Sequence, residues 1–174
     1  MERVTSRVVE SRPGTTPAAG TFEAFFGAEH ARLKRAMFVV IGDDHEAEEI
    51  VQEAFVRLWE RWDRVKNLED PTGYLYRTAL NEFRSVTRRA ARRLRMTAEL
   101  GPVASLSDVD TRVSIAMAVR ALPERQRAAI VLVEYLGFES ARAATVLGVK
   151  AATIRNLAAQ ARANLKKALE EIDE

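Results

Sequence analysis

Between residues 47 and 62 the apolar side chains Ala47, Ile50, Val51, Ala54, Phe55, Leu58, Trp59 and Trp62 recur at three- and four-residue spacing. That rhythm draws a single stripe along an α-helix. On this reading Trp59 and Trp62 are core residues, as most aromatics at helical spacing are. Alternation of β-branched residues never lasts beyond a few positions elsewhere, so the expected fold is all-α.

Other helices follow from their boundary residues. Thr21 is an N-cap for a helix to about Ile41 with Phe22, Phe25, Phe26, Leu33, Met37 and Val40 on one face, and Gly42 ends it. Asp43 or Asp44 caps the second helix. Asp70 and Pro71 open a third, from about Thr72 to Arg93, since proline is tolerated at the first helical position. Leu75, Ala79, Phe83 and Val86 form its inner face. Gly101 and Pro102 mark a linker at 96–107. The expectation is two small helical domains on a flexible linker, covering 21–95 and 108–174, with residues 1–20 a disordered arm. In the second domain a helix from about Asp108 to Leu122 is followed by one from Pro123 to Leu136, which Gly137 stops. A short helix 138–147, the turn Gly148-Val149-Lys150 and a longer helix 151–172 have the form of a helix-turn-helix.

Composition narrows the chemistry. With 47% hydrophobic and 30% charged residues, the chain has material for a packed core and a solvated exterior. It has no cysteine, which removes disulfides, thiolate zinc sites and a cysteine nucleophile. His30 and His45 are the only histidines, and neither stands at Glu-x-x-His spacing from Glu46, Glu48, Glu49 or Glu53. Neither a nucleophile-base pair nor a phosphate loop is visible, so no catalytic residue, metal or cofactor is expected. With no signal-peptide core and no run of about 18 apolar residues, a cytoplasmic protein without membrane insertion is expected.

The net charge of +2 hides a polarity. Asp43 to Glu60 holds seven acidic residues against one basic, and Arg77 to Arg95 holds seven arginines against one glutamate. The acidic helix is either a solvated face or a docking surface for a basic partner. On the third helix Arg77, Arg84, Arg88, Arg89, Arg92, Arg93 and Arg95 lie beside Tyr74, Tyr76 and Asn81. Phosphate-neutralising charge there accompanies groups that stack on bases or bond their edges. In the helix-turn-helix, Lys150, Arg155, Asn156, Gln160 and Arg162 are the groups available to phosphates and bases.

These pieces together resemble the extracytoplasmic-function sigma factors of bacterial RNA polymerase, in the sigma-70 family. The string from Asp43 to Phe55 with Leu58-Trp59 is similar to their polymerase-binding helix. Pro71 to Arg89, with Gly73-Tyr74-Leu75-Tyr76-Arg77-Thr78-Ala79-Leu80-Asn81, is similar to their promoter-melting helix. Leu122 to Arg127, Leu147-Gly148-Val149 and Ala161 to Leu165 resemble their second DNA-binding domain. The resemblance covers about residues 21–170. It implies a sigma region 2 bundle and a region 4 helix-turn-helix that bring core polymerase to a promoter and open it.

The resemblance also implies site residues. Asp44, Glu48, Glu49, Gln52, Glu53 and Phe55 would meet the β′ clamp helices, and the second domain the β flap. Tyr74, Arg77, Asn81, Arg84 and Arg88 would meet the minus-ten element, and Lys150, Thr153, Arg155, Asn156, Gln160 and Arg162 the minus-thirty-five element. An anti-sigma factor is a further partner it suggests. The chain departs from the family pattern at Leu80, where an arginine is often found, and at Lys150 and Leu157 to Gln160, where a serine-like cap and more polar residues are usual. A helix-turn-helix regulator that binds duplex DNA without polymerase is the competing reading. It has no use for the acidic surface from Asp43 to Trp59.

Overall fold

The computed structural model describes residues 20–96 and 117–170, with side chains given outside 93–96. All regular structure among them is helical. The expected arm and linker lie outside the described residues, Gly20 and Met96 apart.

Helix α1, Phe22–Ile41, starts where Thr21 Oγ1 accepts the Ala24 amide at 3.2 Å. It ends at Gly42, whose φ of 90° is a conformation only glycine adopts cheaply. Asp43 then caps α2, Asp44–Trp59, its Oδ1 accepting the Glu46 amide at 2.8 Å. A separate turn, α3 (Trp62–Val65), follows. Helix α4 runs from Pro71 to Met96, and Asp70 Oδ1 takes the Gly73 amide at 2.8 Å in its first turn.

The second half opens with the helical residues 117–121, here α5. Helix α6, Glu124–Ile130, runs into a π-helical turn, Val131–Tyr135. The expected continuous helix to Leu136 is thus widened by a turn with i→i+5 bonding. Gly137 (φ 70°) reverses the chain, α7 covers Ser140–Leu147 and α8 covers Ala151–Glu170.

The apolar stripes behave as their spacing demands. Leu33, Met37 and Val40 of α1, Ala47, Val51, Ala54 and Leu58 of α2 and Leu75 and Ala79 of α4 are all buried. The same core continues through Leu132, Phe138, Ala143 and Ile154, so the two halves share one apolar interior. Ala161 packs with Leu122 and Ile130 in a smaller cluster between α6 and α8.

Candidate functional site

On α2 the capping carboxylate and the acids of the first turn face the positive end of the helix. Asp44, Glu49, Gln52 and Glu53 are exposed, whereas Glu48 is half-buried. Lys34 of α1 reaches Glu48 at 2.9 Å and Asp44 at 3.5 Å. Gln52 donates to the same Glu48 carboxylate at 3.2 Å. The Lys34 hydrogen bond, then that of Gln52, holds the Glu48 carboxyl below its ordinary range. Glu46 is pushed the other way by desolvation, with Asp43 and Glu49 adding repulsion. Part of the acidic face is therefore braced by α1, while Glu49 and Glu53 project beyond it.

Trp59 departs from the sequence expectation. It is 56% exposed, and its ring meets Phe22 edge-on at 4.9 Å. Trp62 is half-buried against Phe22 and Phe25. Helix α2 ends at Trp59, so the stripe outruns the core by a turn. Phe26, expected on the inner face, is 39% exposed, its ring tilted against His30 and edge-on to Phe55. Phe55 itself is buried, at 3% exposure. The outcome is an aromatic ledge of Phe26, Phe22 and Trp59 beside the carboxylates, which sequence reasoning missed because it assigned Phe22 and Phe26 of α1 and Trp59 of α2 to the interior.

Glu82 ties α2 to α4. It is buried, with Arg57 at 2.7 Å from one carboxylate oxygen and Arg89 at 3.0 Å from the other. Arg57 also holds Glu53 at 2.8 Å. This network fixes the wall of a groove of about 470 Å³ lined by Glu53, Arg57, Arg61, Tyr74, Arg77 and Asn81, among others.

Tyr74, Arg77, Asn81, Arg84 and Arg88 are spaced three or four apart, which puts them on one stripe of α4. The structure brings the first three into the groove, where the Tyr74 hydroxyl accepts a bond from Arg61 at 3.2 Å. Arg84 instead turns to Glu124 of α6, at 3.4 Å. Arg88 is exposed, its Nε bonded to the Arg84 carbonyl at 3.1 Å. Leu80 is buried in the shared core, at 3% exposure.

The α7–α8 turn depends on Gly148 at φ 67° and ψ 38°, with its own amide and that of Val149 both bonding back to the Ala144 carbonyl. Ile154, Ala158 and Ala161 form the buried side of α8. Lys150, Ala152, Arg155, Asn156 and Ala159 are exposed, and Thr153 is half-buried. Gln160 and Arg162 are also exposed, but both are engaged by side chains of the preceding helical segment. Gln160 accepts from Gln126 at 3.2 Å, which in turn accepts from Asn164 at 2.9 Å, and Arg162 pairs with Glu134. Gln160 thus meets α6 and Arg162 the π-helical turn that follows it.

Among the described residues no helix is long and apolar enough to cross a membrane. Sigma-70 region 2 matches residues 25–93, and Sigma-70, region 4 matches residues 112–165. The ECF RNA polymerase sigma factor SigM of Mycobacterium tuberculosis is 28% identical over 152 residues, covering 85% of this chain and 76% of the relative. The RNA polymerase sigma-E factor of Streptomyces avermitilis is 27% identical over 156 residues, covering 87% of each chain. Among solved structures, the sigma factor RpoE from Bartonella quintana, in complex with the anti-sigma factor NepR, superposes with a TM-score of 0.75 at 21% identity. That alignment covers 86% of this chain and 96% of RpoE.

The two helical halves and the two matches, in the same order, define a protein built from sigma region 2 followed by region 4. The chain belongs to the sigma-70 family, in its extracytoplasmic-function group.

Proposed function

We propose that the protein works in the cytoplasm as a non-catalytic initiation factor, carrying core RNA polymerase to a promoter and exchanging binding energy for strand separation. Residues 21–95 act as the polymerase-binding and melting module and 108–174 as the upstream-element module. Glu49, Glu53 and Gln52, with Asp44 and Glu48 braced by Lys34, meet the basic β′ clamp helices. Phe55 supports that surface from beneath. The second module contacts the β flap.

The observation that carries the reading is the groove on α4. Tyr74, Arg77 and Asn81 present an aromatic face, a cation and an amide side by side. That set suits an unstacked base of the non-template strand, where stacking on an aromatic contributes about 1–3 kcal/mol per base. Arg84 and Arg88 extend the stripe along the phosphates. Downstream, Lys150, Thr153, Arg155, Asn156, Gln160 and Arg162 of α8 address the upstream element, the last two also meeting Gln126 of α6 and Glu134 of the π-helical turn. RpoE of Bartonella quintana was solved with an anti-sigma factor, and a partner of that class is part of the proposal for this chain.

The test is reconstitution of the full chain with core polymerase on a promoter library. Promoter-dependent transcripts are expected, and Glu49→Lys should abolish them by blocking polymerase binding. No transcript from any template, or an unaffected Glu49→Lys variant, overturns the reading.

A further inference from the structure

The groove on α4 has a second wall. Helix α2 stops at Trp59, and Arg61 takes φ −120° and ψ 13° before α3 begins at Trp62. Its carbonyl accepts the amides of Arg64 at 3.0 Å and Val65 at 2.9 Å, so the backbone at this corner is fixed by the turn it opens. From that corner the Arg61 side chain crosses to α4, where Nη1 donates to the Tyr74 hydroxyl at 3.2 Å. Tyr74 is half-buried and packs on the core, so its ring is held by apolar contact at the body and by Arg61 at the tip.

The charges of the groove do not balance internally. Its charged lining residues are Glu53, Arg57, Glu60, Arg61 and Arg77. Arg57 is already committed to Glu53 and to the buried Glu82. Two arginines then remain against Glu60 alone. Arg61 and Arg77 are exposed, and among the described residues neither makes an ion pair. A guanidinium has five N–H donors, of which the bond to Tyr74 occupies one. The neutral hydroxyl leaves the charge of Arg61 uncompensated, and two such cations in one cleft favour an anion between them.

The rest of the groove says which anion. Its volume of about 470 Å³ lies in the range of about 300–1,000 Å³ of clefts that enclose a small ligand. Because Tyr74 accepts from Arg61, its own O–H stays free to donate, and the Asn81 amide can both donate and accept. A cation pair, an aromatic face and an amide match the phosphate, the face and the edge of one nucleotide in a single strand. A duplex presents the phosphate but keeps the face stacked.

We propose that Arg61 is a further single-strand-binding residue: with Arg77 it brackets one backbone phosphate of the separated strand, and through the Tyr74 hydroxyl it positions that ring for the adjoining base. The assignment rests on the proposed initiation role and adds to it a residue from the α2–α3 corner, outside the α4 stripe.

The test uses holoenzyme assembled from core polymerase and the full chain. Its affinity is measured between about 50 and 200 mM salt for a fork-junction DNA whose single-stranded overhang carries a sequence recovered from the promoter library. Arg61→Ala should weaken binding about threefold to tenfold and lower the slope of log affinity against log salt by about 0.7, the counterion released from one phosphate of a single strand. Arg61→Gln keeps a donor for Tyr74 without the charge, so it should lose the same slope and less affinity. Arg61→Lys should retain the parental slope. On the same duplex without its overhang, parent and Arg61→Ala should bind alike. Equal Tm and equal holoenzyme yield keep folding and polymerase docking out of the comparison. A parental slope in both Arg61→Ala and Arg61→Gln overturns the assignment, and so does an equal loss on the duplex lacking the overhang. A library that returns no promoter, or a parent chain that never binds core polymerase, overturns the initiation role instead, before any Arg61 variant is compared.

Discussion

Replacing Glu82 by alanine removes the one buried carboxylate that joins the acidic helix to the basic one. A hydrogen bond to a charged group contributes about 1.5–3 kcal/mol net, so two such bonds set a ceiling of about 3–6 kcal/mol. The realised loss is smaller. Arg57 and Arg89 have side chains 42% and 58% exposed and can turn to water, and Arg57 keeps Glu53. The expected cost is about 2 kcal/mol for Glu82→Ala and about 1 kcal/mol for Glu82→Gln, whose carbonyl oxygen still accepts one bond. In a chain of this size 1 kcal/mol moves Tm by about 2–4 °C, so the alanine variant should melt about 4–8 °C lower. Urea denaturation followed by circular dichroism measures the same quantity independently. Both variants lying within about 0.5 kcal/mol of the parent would show that the bridge is no more than a surface ion pair and would refute the argument.

Three further outcomes follow from geometry. Gly148→Ala should cost about 1 kcal/mol in thermal unfolding, because φ is 67° while open space surrounds the position, and Gly148→Asn should cost less since asparagine tolerates that conformation. Arg155→Ala should relax base preference at one position of the upstream element by about 1–3 kcal/mol in promoter selection, whereas Arg162→Ala removes a half-exposed ion pair to Glu134 and should cost less than about 1 kcal/mol in thermal unfolding. The hydrogen bond from Arg142 holds the Asp70 carboxyl below its ordinary 3.8. A depressed carboxylate contributes stability at every pH above that ordinary value and loses the contribution as pH falls through the depressed one. The contribution of the pair to Tm should therefore be constant through neutrality and lost only in strong acid, and the Tm difference between Asp70→Asn and the parent should shrink there.

Features whose cause is local were legible in the chain. Thr21, Asp43 and Asp70 bond amides three residues away, and Gly42, Gly137 and Gly148 take positive φ where their helices stop, so each boundary is written within a few residues. The break after Trp59 was not, because Glu60-Arg61 is ordinary helical sequence without glycine or proline. The π turn was equally silent, since Val131 to Tyr135 continues the apolar pattern of α6. The stripe Tyr74-Arg77-Asn81 was singled out by the family resemblance, and its three- and four-residue spacing fits one helix face. The fates of Gln160 and Arg162 could not be read, because Gln126 and Glu134 belong to another helical segment. Most distant of all is the pairing of Asp70 with Arg142, 72 residues along the chain, which no periodicity encodes.

The open side of α8 carries two methyl groups, Ala152 and Ala159, flanking Arg155 and Asn156. Neither alanine belongs to the buried set, so a longer polar side chain at either place enlarges the hydrogen-bonding vocabulary without disturbing the interior. Under the proposed role of α8, single substitutions there should write new promoter preferences while leaving folding intact. The sparse lettering of the present face would make such a reader adaptable, open to retuning one base pair at a time.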